Sequence, residues 1–223
     1  LLQSGIKDAT QIENEFGLPV YATVPRSPVQ ESRMNIIKKK KTLPILAVKN
    51  SEDIAIESLR SIRTAIHFAL ANAKNNVIAI SGPAPEVGKS FISINLATIF
   101  AQSNKRVLLM DVDLRRGYLH KYFDREVNPG LTEVMNGSVT IEQAIYDTGV
   151  ANLDYLARGK SPSNPSEMLE TEQFQALLKS LSSQYDHIIL DTPPVLAVTD
   201  GIIMAQYAGV NLVVARYAKT QLK

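Results

Sequence analysis

Apolar residues fall along this chain in two alternating rhythms. Nearly continuous short runs occur at Val77–Ile80, Val107–Met110, His187–Leu190 and Val210–Val214, with a less continuous one at Leu153–Leu156. Between them lie longer stretches in which apolar positions recur every three or four residues. The short runs predict strands covered on both faces, and the longer stretches predict helices. One amphipathic helix is predicted over Ser51–Ala73, on Ile54, Leu59, Ile62, Ile66 and Leu70. Another begins at Phe91-Ile92-Ser93-Ile94. Alternating strands and helices imply an α/β fold: a doubly wound, mostly parallel sheet with helices on both faces. Ligands of such sheets bind beyond the carboxyl ends of the strands.

Residues 1–50 differ from the rest, and the division predicted is an N-terminal arm and linker over 1–50 and one domain over 51–223. The arm carries Pro19, Pro25, Pro28 and Pro44 and the run Lys38-Lys39-Lys40-Lys41. A short helix is expected over Asp8–Phe16, with Thr10 as N-cap and Gly17 ending it. Val20–Val24 reads as a short strand and 26–44 as a linker. The lysine run is either a solvated stretch or a contact with an anionic membrane surface. The first residue is not Met, and Lys219–Lys223 reads as the start of a further helix. Both suggest a piece of a longer protein.

Composition narrows the chemistry. No window approaches the roughly 18 apolar residues of a membrane span. With no cysteine, disulfides, Cys-ligated zinc and iron–sulfur clusters are excluded. The net charge of +2 gives no reason to expect a nucleic-acid partner.

Between the first strand and the Phe91 helix lies Gly82-Pro83-Ala84-Pro85-Glu86-Val87-Gly88-Lys89-Ser90. A loop between a strand and a helix start can aim backbone N–H groups at one anion, aided by the helix dipole. Lys89 can reach the outer phosphates of a nucleotide, and the Ser90 hydroxyl can ligate Mg²⁺. The usual spacing puts four residues between the glycines; here five separate Gly82 from Gly88, and Pro83 takes the first-glycine register. Pro85, Glu86, Val87, Gly88, Lys89, Ser90 and Phe91 are the candidate nucleotide contacts, with a nucleoside triphosphate and Mg²⁺ as the expected cofactors.

Two further strands run directly into acids. Leu108-Leu109-Met110 leads into Asp111-Val112-Asp113-Leu114-Arg115-Arg116, and Ile188-Ile189-Leu190 into Asp191-Thr192-Pro193. These carboxylates emerge at the same sheet edge as the phosphate loop. Ser90 with Asp111 and Asp191 can hold Mg²⁺, the acids acting through water. Asp113 or Asp111 can take a proton from an attacking hydroxyl. Arg115 and Arg116 read equally as phosphate contacts, contacts with a neighbouring chain or surface salt bridges.

Taken together, these motifs resemble those of the bacterial tyrosine kinases, the cytoplasmic kinase domains of polysaccharide co-polymerases that control capsule and exopolysaccharide export. The phosphate loop ending at Gly88-Lys89-Ser90, the D-x-D-x-R run of Asp111–Arg115 and the D-x-x-P of Asp191 carry the resemblance, together with E-x-x-R-x-x-R at Glu57, Arg60 and Arg63. It implies a P-loop NTPase fold of the MinD/ParA-like kind and transfer of phosphate from ATP to tyrosine. It implies a ring of copies of the chain, contacting through Glu57, Arg60 and Arg63, in which one copy phosphorylates the next. A regulatory pair, Tyr118 and Arg158, is implied as well: phosphorylated Tyr118 would leave the active site and meet the arginine. So are a cognate tyrosine phosphatase, the export machinery and a place on the cytoplasmic face of the inner membrane. Family members end in a tyrosine cluster. The 8 tyrosines here are scattered, so a terminal helix, a strand and the tail are expected beyond the chain.

Two other readings stay open. A partitioning or division-site ATPase shares the fold and the acids, but usually carries an extra lysine early in the loop, which Pro83–Val87 lack. A non-catalytic nucleotide-dependent assembly module would use the same loop without turnover.

Overall fold

In a computed structural model, residues 5–30 and 44–220 are described; the lysine run at 38–41 lies outside them. Among the described residues, six strands form one sheet in the order β3-β4-β2-β5-β1-β6. They are β1 (Val77–Ser81), β2 (Val107–Asp111), β3 (Ile145–Asp147), β4 (Leu153–Leu156), β5 (His187–Asp191) and β6 (Val210–Val213). All neighbours run parallel except β3, which pairs antiparallel with β4 at the edge. The five strands expected from apolar runs are present within a residue or so at each end. β3 was not expected: it has only three residues, and helical residues lead straight into it.

The strands divide their residues between two cores, as a period of two requires. Ile78, Ile80, Leu109, Tyr155 and Ile189 face one core. Val77, Ala79, Leu108, Met110, Ile188 and Leu190 face the other. The first core lies under α2 (Leu46–Lys49), α3 (Ile54–Leu70) and α4 (Lys89–Ala101), which follow the arm helix α1 (Ala9–Phe16). The second lies under α5 (Leu131–Met135), α7 (Pro165–Glu170), α8 (Glu172–Ser182) and α9 (Asp200–Tyr207); α6 (Ile141–Ala144) precedes β3. Helix α4 is buried along nearly its whole length because α2 and α3 cover the side turned away from the sheet. This explains its apolar run without an amphipathic stripe.

Local chemistry sets the helix ends. α1 is capped by Asp8, not by the expected Thr10: Asp8 Oδ1 accepts from the Gln11 N–H at 2.9 Å. Gly17 ends it in the left-handed region. α3 starts at Ile54, later than Ser51, because Asp53 is its N-cap and accepts from the Ala55 N–H. The other oxygen of Asp53 accepts from Ser27 Oγ at 2.6 Å, tying the arm to the helix start. Val20–Val24 forms no strand. Ala22, Val24 and Val29 pack on the first core, and Ile45, Leu46 and Ala47 belong to it. The change at residue 50 is thus one of composition; the arm's apolar residues share the domain's core. Residues 217–219 form a turn, and the helix expected from Lys219 does not begin at Lys219 or Thr220; the remainder of that stretch lies outside the described residues.

Candidate active site

The sheet register brings the motifs together. β1, β2 and β5 are adjacent, Asp111 pairs with Asp191, and Asp191 pairs with Ile80 one residue before β1 ends. The loop leaving β1 runs to Gly88, whose φ of 112° only glycine adopts readily, and α4 starts at Lys89. A pocket opens there, lined by Pro85, Glu86, Lys89, Ser90, Asp113, Arg116, Gly117, Tyr118, Asp191, Thr192 and Pro194. The first N–H groups of a helix have no partners within it, so α4 points free donors at this end.

Lys89 is buried and donates to the Ala84 carbonyl at 3.4 Å. Burial pushes its ammonium below the usual lysine range, against the pull of Asp191 and Asp113. Ser90 Oγ donates to Asp191 Oδ2 at 2.7 Å, and Ser93 Oγ, one turn further along α4, donates to Oδ1 at 2.8 Å. Burial raises the Asp191 carboxyl to about 6, although both serines and Lys89 draw it down. Asp113 turns one oxygen back to the Arg115 and Arg116 N–H groups, a turn cap, while its side chain lines the pocket.

Asp111 is placed differently. It is fully buried beneath the turn that carries Tyr118, and Oδ2 accepts from the Leu119 N–H at 3.2 Å. Oδ1 has no hydrogen-bond partner among the described residues. Burial, then Asp191 and Asp113, push its carboxyl well above the carboxylate range. A buried carboxylate oxygen without a donor among the described residues, on the strand next to a serine–carboxylate pair, makes an all-oxygen set suited to a hard cation. These residues fit Mg²⁺, with Ser90 and Asp191 on the pocket wall and Asp111 behind them.

The remaining expected residues divide. Tyr118 lines the pocket; burial raises its phenol, against a hydrogen bond with Ser90. The guanidinium of Arg158 donates to the Gly117 carbonyl at 3.0 Å, the Gly159 carbonyl at 2.8 Å and Ser161 Oγ at 3.0 Å, so it holds the backbone next to Tyr118. Val87 is buried and Phe91 packs on the first core, so neither side chain lines the pocket. On α3, Glu57 and Arg60 form an ion pair and Arg63 donates to Ser103 Oγ. Arg115 pairs with the fully buried Asp200 at 3.0 Å, away from the phosphate loop.

Sequence reasoning did not find Ser93, Thr192, Pro194 or Arg216. Ser93 had a usable signal: it lies three residues after Ser90, on the same helix face. Arg216 donates Nη1–H to the Glu86 carbonyl at 2.8 Å across 130 residues, a contact without any local signal.

A parallel sheet whose strand ends gather a glycine-capped loop, a lysine, a serine and three acids defines a P-loop nucleotide-binding domain. Residues 75–220 match the AAA domain family. The chain is 71% identical, over its whole length, to the tyrosine-protein kinase ptk of Acinetobacter johnsonii, and covers 30% of that protein. Its fold matches the BceF tyrosine kinase domain at a TM-score of 0.92 and 43% identity, covering 98% of this chain and 89% of that one. It matches the kinase domain of the Escherichia coli tyrosine kinase ETK at a TM-score of 0.88 and 39% identity, covering 96% and 84%. The chain therefore belongs to the AAA domain family and, within it, to the bacterial tyrosine-kinase domains. It spans about 30% of the length of the curated relative it matches at 71% identity.

Proposed function

We propose that this chain is the catalytic domain of a protein-tyrosine kinase that transfers the γ-phosphoryl group of ATP to tyrosines of neighbouring copies. The carrying observation is the convergence of Lys89, Ser90, Asp113, Asp191 and the Tyr118 ring on one pocket at the strand ends. Lys89 and the amides at the start of α4 bind the phosphates. Magnesium, when bound, would neutralise phosphate charge; Ser90 and Asp191, with Asp111 behind them, would hold it. Asp113 orients the acceptor hydroxyl and takes its proton, a role Asp111 is less suited to beneath the Tyr118 turn. The phenolic oxygen bonds to the γ-phosphorus as the bond to the β–γ bridging oxygen breaks, and ADP leaves.

Tyr118 lines the same pocket as Lys89, Ser90 and Asp191, which supports its regulatory reading. Phosphorylation would add nearly two negative charges that the pocket acids repel and Arg158 can bind. Glu57, Arg60 and Arg63 are the proposed contact with a neighbouring copy in a ring; the first two are paired and partly exposed. The wider role proposed is control of capsule or exopolysaccharide polymerisation and export at the cytoplasmic face of the inner membrane, opposed by a tyrosine phosphatase. Among the described residues no helix is long and apolar enough to cross a membrane, so anchoring would come from elsewhere in the protein.

The test is a phosphotyrosine immunoblot of the intact protein, with and without Lys89→Ala, after incubation with Mg-ATP. Loss of phosphotyrosine in the variant is expected. Full labelling of the variant would overturn the assignment of Lys89. Phosphate released to water with no phosphotyrosine would replace the kinase reading with that of an ATPase switch.

A further inference from the structure

Beyond β6 the chain enters a turn whose base is held from two sides. Within the turn, the Thr220 N–H donates to the Arg216 carbonyl and the Arg216 N–H donates to Thr220 Oγ1, both at 2.9 Å. From outside, the arm pins it: the Ile6 N–H donates to the Thr220 carbonyl and the Ala218 N–H to the Ile6 carbonyl, again at 2.9 Å. The Arg216 backbone is thereby fixed, and its side chain leaves the turn to reach the phosphate loop at the Glu86 carbonyl, 2.8 Å away.

Glu86 is an unusual residue to find there. Its φ is 59°, in the left-handed region, without being glycine or asparagine. Such a conformation persists where its surroundings over-determine it. A charged donor on the Glu86 carbonyl does this, being stronger than a neutral hydrogen bond. In a trans peptide the C=O and N–H groups point in opposite directions. Holding the Glu86 oxygen toward Arg216 turns the Val87 N–H the other way. Val87 stands two residues before Lys89, in the run of amides that leads into the start of α4. Loops that bind phosphate work by presenting such consecutive amides to one anion. Arg216 itself is not among the residues lining the pocket.

Building on the nucleotide reading above, we infer that Arg216 is a positioning residue for the phosphate loop, fixing the Glu86–Val87 peptide so that the Val87 N–H serves the nucleotide phosphates. Arg216 acts from outside the pocket, and the arm at Ile6 holds the turn from which it reaches. The free loop of an Arg216→Ala protein can turn that peptide over, so part of the binding energy is spent on ordering it again.

The experiment measures ATP and ADP affinity and the kinetics of autophosphorylation for the intact protein and its Arg216→Ala and Arg216→Lys variants, with thermal unfolding as the fold control. Loss of one charge-assisted hydrogen bond corresponds to about tenfold weaker nucleotide binding. Arg216→Ala is expected to show this as a raised KM for ATP with a smaller change in kcat, at a melting temperature near that of the parent. Arg216→Lys, which keeps a charged donor, is expected to recover part of the affinity. Affinity within twofold of the parent in Arg216→Ala would overturn the inference while leaving the nucleotide site intact. A parent protein that binds neither nucleotide would overturn both.

Discussion

The Ser90 hydroxyl donates to Asp191 Oδ2 at 2.7 Å, joining the first residues of α4 to the end of β5. Donating its proton to the acid leaves the lone pairs of Ser90 Oγ for the proposed magnesium ion. Ser90→Ala is expected to lower magnesium-dependent autophosphorylation by about 100-fold, comparable to the upper range for disturbing a metal site. Ser90→Thr, keeping the hydroxyl, should retain most of the activity. A magnesium titration of phosphotyrosine formation in both variants checks this; an unshifted metal dependence in Ser90→Ala would remove Ser90 from the site.

Gly117 and Asp111 set up a second expectation. A Cβ at position 117 would lie 2.0 Å from Asp111 Oδ1, and the other carboxylate atoms would be no further than 2.5 Å. Asp111 is fully buried and cannot swing clear. Gly117→Ala should therefore destabilise the fold by about 2–3 kcal/mol, as overpacking does, and lower the melting temperature by roughly 5–10 °C. In an Asp111→Ala background the same change should cost much less, because its clash partner is gone. Equal costs in the two backgrounds would show that the contact is not made.

His187 gives the acid stability of the domain a testable slope. It is buried at the start of β5, its ring 4.5 Å from that of Phe100, and its Nδ1 has no hydrogen-bond partner among the described residues. Burial lowers its folded pKa from 6.5 to about 4. The unfolded chain therefore takes up this proton first as pH falls. The stability associated with neutral His187 is complete above pH 6.5 and is lost as pH falls toward about 4, amounting to at most about 3 kcal/mol. His187→Phe should remove that part of the slope. Denaturant unfolding at pH 7, 5.5 and 4.5 measures it; identical pH dependences for parent and variant would contradict the prediction.

The arm, the phosphate loop and the acids were not equally legible. The strands and α3 could be read because burial imposes a period on residues close in sequence. Lys89, Ser90, Asp113 and Asp191 were legible for a related reason: each lies at or just beyond the end of a strand, and parallel strands bring their carboxyl ends to one edge. The same reasoning placed Asp111 correctly on its strand but could not show it buried beneath Gly117, because that depends on how the turn 115–119 folds back. It gave Arg115 several partners, and the fold gave it Asp200.

By itself, then, the sequence determined the α/β alternation, the phosphate loop and the acids at the strand ends, because those features are written in spacing along the chain. Only the tertiary structure decided that Arg216 reaches Glu86, that Ile6 closes on Ala218 and Thr220, and that Ser93 joins Ser90 on Asp191. Most of these contacts join residues far apart in sequence. Their partners are set by sheet order and helix packing, which no local period encodes.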